Sequence, residues 1–262
     1  MNYNRKERKF IDDVRSYYGL HGRRNLPWRR TRNPYRILVS EIMLQQTQVD
    51  RVVPKYTSFL RRFPTMRVLS KASLGEVLRE WQGLGYNRRA KYLHTCAKMV
   101  VHEYKGLVPQ SYAELTMFPG VGRYTAGAVM AFAYNEPVAI IETNIKTAYL
   151  SHFFSNQTDV SDMEILEIIE RTLDRENPRE WYAALMDYGS HLKQTHGNPN
   201  SRSRQYSKQP AFEGSDRQVR GAILRLLVKK KMSRQELHST LAFERDRIDA
   251  QLERLNEELM VE

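Results

Sequence analysis

The chain has 262 residues, room for one or two domains at about 150 residues each, and with 41% apolar and 10% aromatic residues it is not a disordered chain. Its single cysteine, Cys96, excludes an intrachain disulfide, an all-thiolate zinc site and a four-cysteine iron–sulfur cluster. The 42 Lys and Arg against 30 Asp and Glu leave a net charge of +12, which favours anionic partners, nucleic acid first, although an ordinary basic enzyme has the same balance.

Helical periodicity runs through the chain. Phe10, Val14 and Tyr17 share one face of an opening helix. The charged start of that segment lacks the apolar stretch of a secretory signal, and no apolar run approaches the ~20 residues of a membrane span. The expectation is a protein of the cytoplasm (the bacterial nucleoid) or otherwise intracellular, with no membrane partner. Asn33 caps and Pro34 opens a second helix carrying Ile37, Leu38, Glu41, Ile42 and Leu44. Helices follow over 54–63, 74–81, 89–102 and a short 111–117, then a small-residue, apolar and therefore buried one over 124–134. Three more span 144–154, 162–176 and 181–193. The stretch 197–208 breaks the periodicity. Three short amphipathic patterns over 216–228, 233–241 and 245–259 suggest a helical, winged-helix-like module or a plain helical tail. The fold class is mainly α.

The strongest local string is Phe118-Pro119-Gly120-Val121-Gly122-Arg123-Tyr124-Thr125-Ala126. Its glycines let backbone amides approach a phosphate at a helix N-terminus. No G-x-x-x-x-G-K-[ST] loop occurs in it, so a nucleoside triphosphate is not implied. The string resembles the helix-hairpin-helix of the base-excision DNA glycosylases, the superfamily of endonuclease III and the MutY-type adenine DNA glycosylases. Leu26-Pro27-Trp28-Arg29, Asn33-Pro34-Tyr35, Val39 through Val49 (VSEIMLQQTQV) and Gly83-Leu84-Gly85-Tyr86 extend the resemblance over roughly residues 5–193, with the MutY type in particular.

The resemblance implies roles. Glu41 is the expected general acid that protonates the departing base, a task suited to a buried carboxyl. Glu142, in Ile140-Ile141-Glu142-Thr143-Asn144, stands where the family has Asp; it is expected to stabilise the oxocarbenium-like sugar, with Asn144 in support. The extra methylene displaces the carboxylate by about 1 Å unless the backbone compensates. Tyr124 takes the position of the Schiff-base lysine of bifunctional relatives, so a monofunctional glycosylase without lyase activity is implied. Trp28 and Arg29 line the base pocket. Gln46 and Tyr86 fill the stack vacated by the flipped base, with Thr47 and Leu84 beside them. Gly120, Val121, Gly122 and Thr125 of the hairpin are expected at phosphates; the basic run Arg88, Arg89 and Lys91 is either a further set of phosphate contacts or a solvated helix face.

Two departures from the family stand out. The stretch 188–206 holds none of the cysteines that ligate the family's [4Fe–4S] cluster, so no cluster, metal or cofactor is expected; the resemblance allows a structural monovalent cation at the hairpin. Only about fifty residues follow, in place of the family's Nudix-like domain, and Ala183 stands where a Glu or Gln contacts adenine. The implied architecture is a two-lobed helix-hairpin-helix glycosylase: a barrel over 23–136, a second lobe from 1–22 and 137–210, and a module over 211–262, with DNA in the cleft between lobes. The expected substrate is double-stranded DNA with a mismatch or damaged base, bound by a monomer that removes adenine opposite guanine or 8-oxoguanine. The alternatives are a thymine/uracil mismatch glycosylase, and a lesion-binding protein whose chemistry is weakened at Glu142.

Overall fold

The computed structural model describes residues 3–208, 211–258 and 260; the outermost residues of the expected segments 1–22, 137–210 and 211–262 lie outside the described residues. The chain divides into two compact units: Met1–Glu41 with Gln110–Met117 and Val121–Lys208, and Ile42–Pro109 with Phe118–Gly120 and Gln209–Glu262.

The first unit contains α1 (Arg5–His21), α2 up to Glu41 (the whole helix is Pro34–Leu44), α7 (Tyr112–Thr116), α8 (Arg123–Tyr134), α9 (Thr143–Phe153), α10 (Asp162–Thr172) and α11 (Pro178–His196). Helix α11 is its spine and packs on α1, α8 and α9. The core between them is apolar and aromatic: Phe10, Val14, Ile145, Tyr149, Ile165, Tyr182 and Leu185 are fully buried, and the rings of Phe10 and Tyr149 lie 4.7 Å apart. Glycine is required at one crossing, because a Cβ on Gly189 of α11 would run into the backbone carbonyl of Asn144 on α9. A capping box at Asn4–Glu7 starts α1 and another at Ser161–Glu164 starts α10.

The second unit contains α3 (Val49–Arg62), α4 (Met66–Lys71), α5 (Leu74–Trp81), α6 (Arg88–Glu103), α12 (Asp216–Leu227), α13 (Arg234–Thr240) and α14 (Arg245–Glu257). Helix α6 packs on α4 and α5 around Leu69, Trp81 and Leu93. Helices α12 and α13 close on α14 over Val219, Ile223, Leu237, Ile248 and Leu255. No strand occurs among the described residues; there is one isolated bridge, Val160 to Ser203.

The helical expectations hold in type and shift at their edges. Helix α3 starts five residues before the expected Pro54, because Gln48 is already extended and the missing Pro54 amide removes only one intrahelical bond. Helix α10 stops at Thr172 rather than 176: the Asp174 carboxylate accepts from the amides of Glu176 and Asn177 and turns the chain. Helix α4 was not expected; Thr65 caps it and Met66 and Leu69 bury its one face.

Candidate active site

Helix α2 buries most of its circumference, and Glu41, at 5% exposure, is carried inward with Leu38 and Ile42. Loss of water disfavours the ionised carboxyl. Burial therefore pushes Glu41 up to about 7; the Tyr124 hydroxyl opposes the rise, the like charge of Glu142 adds to it, and Arg29 opposes it. Tyr124 donates to Glu41 Oε2 at 2.7 Å. Burial and the two neighbouring carboxylates hold the Tyr124 phenol well above its ordinary range, so it stays a donor.

Helix α8 brings Tyr124 to this point. Its Ala126, Gly127 and Ala128 are buried, and a Cβ on Gly127 would strike the Ile140 side chain, so the segment leading to Glu142 lies close against α8. Glu142 is the extended N-cap of α9. Its Oε1 accepts from the amides of Asn144 at 2.8 Å and Ile145 at 3.0 Å. The extra methylene is thus folded back onto the helix end, where anionic oxygen is favoured. Burial raises the Glu142 pKa; the two amides, the Asn144 side chain and the charge of Lys193 restrain the rise without cancelling it. Glu41, Tyr124, Glu142 and Asn144 are therefore brought together within the first unit.

Arg29 borders this group, but its guanidinium is engaged. Nη1 donates to Asp187 Oδ2 at 2.5 Å, and Nη2 donates to Oδ1 at 2.9 Å and to the Ala183 carbonyl at 3.2 Å. Arg23 completes the shell on Asp187 through Nε at 2.7 Å and its amide at 2.8 Å. Burial would raise the Asp187 pKa, but the bonds and charges of Arg29 and Arg23 prevail and hold it low. Sequence reasoning did not single out Asp187. The available signal was a carboxylate on the apolar, buried stretch of α11. Trp28 is buried in the single turn Pro27–Arg30.

The loop residues of the second unit are organised by Arg89. Expected at a phosphate or on a solvated helix face, it is instead 7% exposed, which is a correction. Nη1 donates to the carbonyls of Ile42 and Met43 at 2.9 Å each and to that of Gln45. Nη2 reaches Thr47 Oγ1 at 3.0 Å and the carbonyls of Leu84 at 3.3 Å and Gly85 at 3.1 Å. One cation thus caps the C-terminus of α2 and ties the 45–47 and 83–86 loops together. Gln46 and Tyr86, the expected wedges, both have left-handed backbones, with φ of 55° and 46°. Such strain in a non-glycine residue persists where the surroundings enforce it. Gln46 is exposed, Tyr86 half-buried, and Leu84 buried. Arg88 and Lys91 hold Glu258, Arg88 through its carboxylate and Lys91 through its carbonyl.

In the hairpin, Gly120 takes φ of 75° and packs on the Tyr92 ring, where a Cβ would clash. Gly122 is the exposed N-cap of α8; Val121 and Thr125 are buried. The Gly120 and Pro119 carbonyls accept from Gln45 Nε2 at 3.4 Å and Cys96 Sγ at 3.2 Å. The stretch 188–206 does not fit an iron–sulfur cluster, since it has no thiolate to offer. It is held by polar bonds: Asn200 Nδ2 to Thr147 Oγ1 at 2.9 Å, Arg202 to the carbonyls of Ser155 at 2.8 Å and Leu150 at 3.2 Å, and Arg204 to Asp159. No helix among the described residues is long and apolar enough to cross a membrane.

The chain is 36% identical over 232 residues to an adenine DNA glycosylase of Mycolicibacterium smegmatis, covering 82% of this chain and 79% of that protein. It is also 36% identical over 185 residues to an adenine DNA glycosylase of Buchnera aphidicola; that match covers 69% of this chain and spans about half, 52%, of the relative. Among solved structures, a thermostable thymine-DNA glycosylase superposes with a TM-score of 0.65 at 28% identity, over 71% of this chain and 87% of that one. Residues 39–174, which include Glu41, the hairpin and Glu142, match the family described as HhH-GPD superfamily base excision DNA repair protein, and the chain belongs to that family.

Proposed function

We propose that this protein removes adenine mispaired with guanine or 8-oxoguanine in double-stranded DNA, as a monofunctional glycosylase acting on a flipped-out base. The observation that carries the reading is the buried Glu41 carboxyl, poised at about 7 and held by Tyr124. A general acid with a pKa near the working pH combines a populated acid form with an adequate driving force. Glu41 gives its proton to purine N7, the C1′–N9 bond breaks with its electron pair moving to the base, and the sugar becomes cationic at C1′. The Glu142 carboxylate stabilises that cation. Glu41, now ionised, takes a proton from water as its oxygen joins C1′, leaving free adenine and an abasic site. Tyr124 has no amine, so no Schiff base forms and the strand stays intact. Gln46 and Tyr86 occupy the vacated stack, and the basic surface meets phosphates, so affinity falls with salt.

A second reading, removal of thymine or uracil opposite guanine, is favoured by Ala183, which stands where the resemblance to the adenine enzymes calls for a Glu or Gln, and by the likeness to a thymine-DNA glycosylase. A panel of labelled duplexes (A:8-oxoguanine, A:G, T:G, U:G and matched controls), read with and without hot alkali, decides. Alkali-dependent cleavage at adenine is expected. Cleavage at T or U selects the second reading. Tight lesion binding with no base released on any duplex overturns both and leaves a binding protein.

A further inference from the structure

We propose that the C-terminal helices brace the Gly83–Tyr86 loop, with Arg217 as the positioning residue that holds Tyr86 and Glu258 as the latch that fastens these helices to α6. The proposal rests on the reading that Tyr86 enters the duplex. The loop has three left-handed residues in four: Gly83 at φ 93°, Gly85 at 72° and Tyr86 at 46°. Only Tyr86 among them carries a side chain that disfavours this backbone. Something must hold it, and two cations do. The Arg89 guanidinium lies 5.5 Å from the Tyr86 ring centroid; Arg217, from the first turn of α12, lies 5.5 Å from the same ring and donates to the Tyr86 hydroxyl. Arg89 is local to the loop, whereas Arg217 is 131 residues away in sequence and joins the α12–α14 helices to it within the same unit.

That bundle is fastened again one turn further along α12. The Glu258 carboxylate, beyond α14, accepts from both Arg220 of α12 and Arg88 of α6, and Lys91 of α6 donates to the Glu258 carbonyl. Arg79 of α5 adds a bond to the Val228 carbonyl at 3.2 Å. Ionised partners hold the Glu258 carboxylate below its usual range against its burial. The latch and the brace therefore share α12, which carries Arg220 one turn from Arg217. This arrangement gives a purpose to Arg88 and Lys91 that phosphate contact does not.

The test uses the full chain and a duplex with 2-aminopurine beside the mismatch, so that unstacking is read by fluorescence independently of base release. Arg217→Leu is expected to lower both the fluorescence change and the single-turnover rate about tenfold, the order supported by one partly desolvated cation–π contact with a charge-assisted bond. Arg217→Lys recovers part of the loss. In a Tyr86→Ala background, Arg217→Leu adds nothing. The salt dependence of binding keeps its slope, because a brace neutralises no phosphate. An equal loss with and without Tyr86, a slope reduced by about one, or no loss at all overturns the proposal. Should Arg217→Leu disturb folding by circular dichroism, Glu258→Gln replaces it in the same cycle, with the same outcomes supporting or overturning the brace. If the wild-type protein releases no base from any duplex, the catalytic reading fails while the fluorescence cycle still tests the brace.

Discussion

Glu41 and Asp187 are both carboxyls removed almost completely from water within the same unit, yet they have opposite chemistry. Asp187 receives four donor bonds from two arginines and is held ionised. Glu41 receives one hydroxyl from Tyr124, faces the like charge of Glu142, and rises to about 7. Burial is common to the two; the number of donors differs. A saturated buried charge acts as a structural fastening, as Arg89 does among its carbonyls, whereas a sparsely served one keeps a labile proton.

Removing the labile proton is the most severe way to break this comparison. Glu41→Gln should lower single-turnover base release by about 10²–10⁴-fold while lesion binding persists; full activity would refute the mechanism. The same variant reads the strain of burial. A carboxyl raised in the folded state keeps its proton between about 4.5 and 7 while the unfolded chain has released it, so its burial lowers stability progressively as pH rises through that window. Urea titration should therefore find Glu41→Gln up to about 3 kcal/mol more stable at pH 8 and indistinguishable from wild type at pH 4.

The next effect concerns the saturated side. Arg89→Met leaves the carbonyls at the end of α2 and in both loops without their shared donor, and should lower stability by about 3 kcal/mol. An unchanged urea midpoint would mean that water replaces the guanidinium. The smallest effect sharpens the link between the two carboxyls. Asp187→Asn keeps an acceptor for Arg29 but removes the negative charge that offsets it, so Glu41 should ionise more readily. The alkaline limb of the pH–rate profile should then move down by roughly half a unit. A limb that stays in place would show that Arg29 does not tune the acid.

Most helices were legible because each carries its own punctuation: Ser73, Ser111, Ser161 and Ser233 cap helices within a residue of where the periodicity begins. Glu41, Tyr124, Glu142 and Asn144 were legible through family resemblance, and their geometry lies within one unit. Asp187 was not, because its partners are about 160 residues away in sequence and no local pattern reports a pairing over that distance. Arg89 was misread for a related reason. Arg88, Arg89 and Lys91 form one basic cluster in sequence, but a helix turns about 100° per residue, so Arg89 faces the interior while its neighbours reach Glu258.

Cys96 is fully buried, donates to the Pro119 carbonyl, and has its thiol pushed up to about 12 by burial. At neutral pH almost none of it is thiolate, the form that alkylating agents and peroxide attack. The native chain is therefore silent toward maleimides while it stays folded. One cysteine introduced at an exposed position such as Met163 would be the single labelling point for a fluorophore.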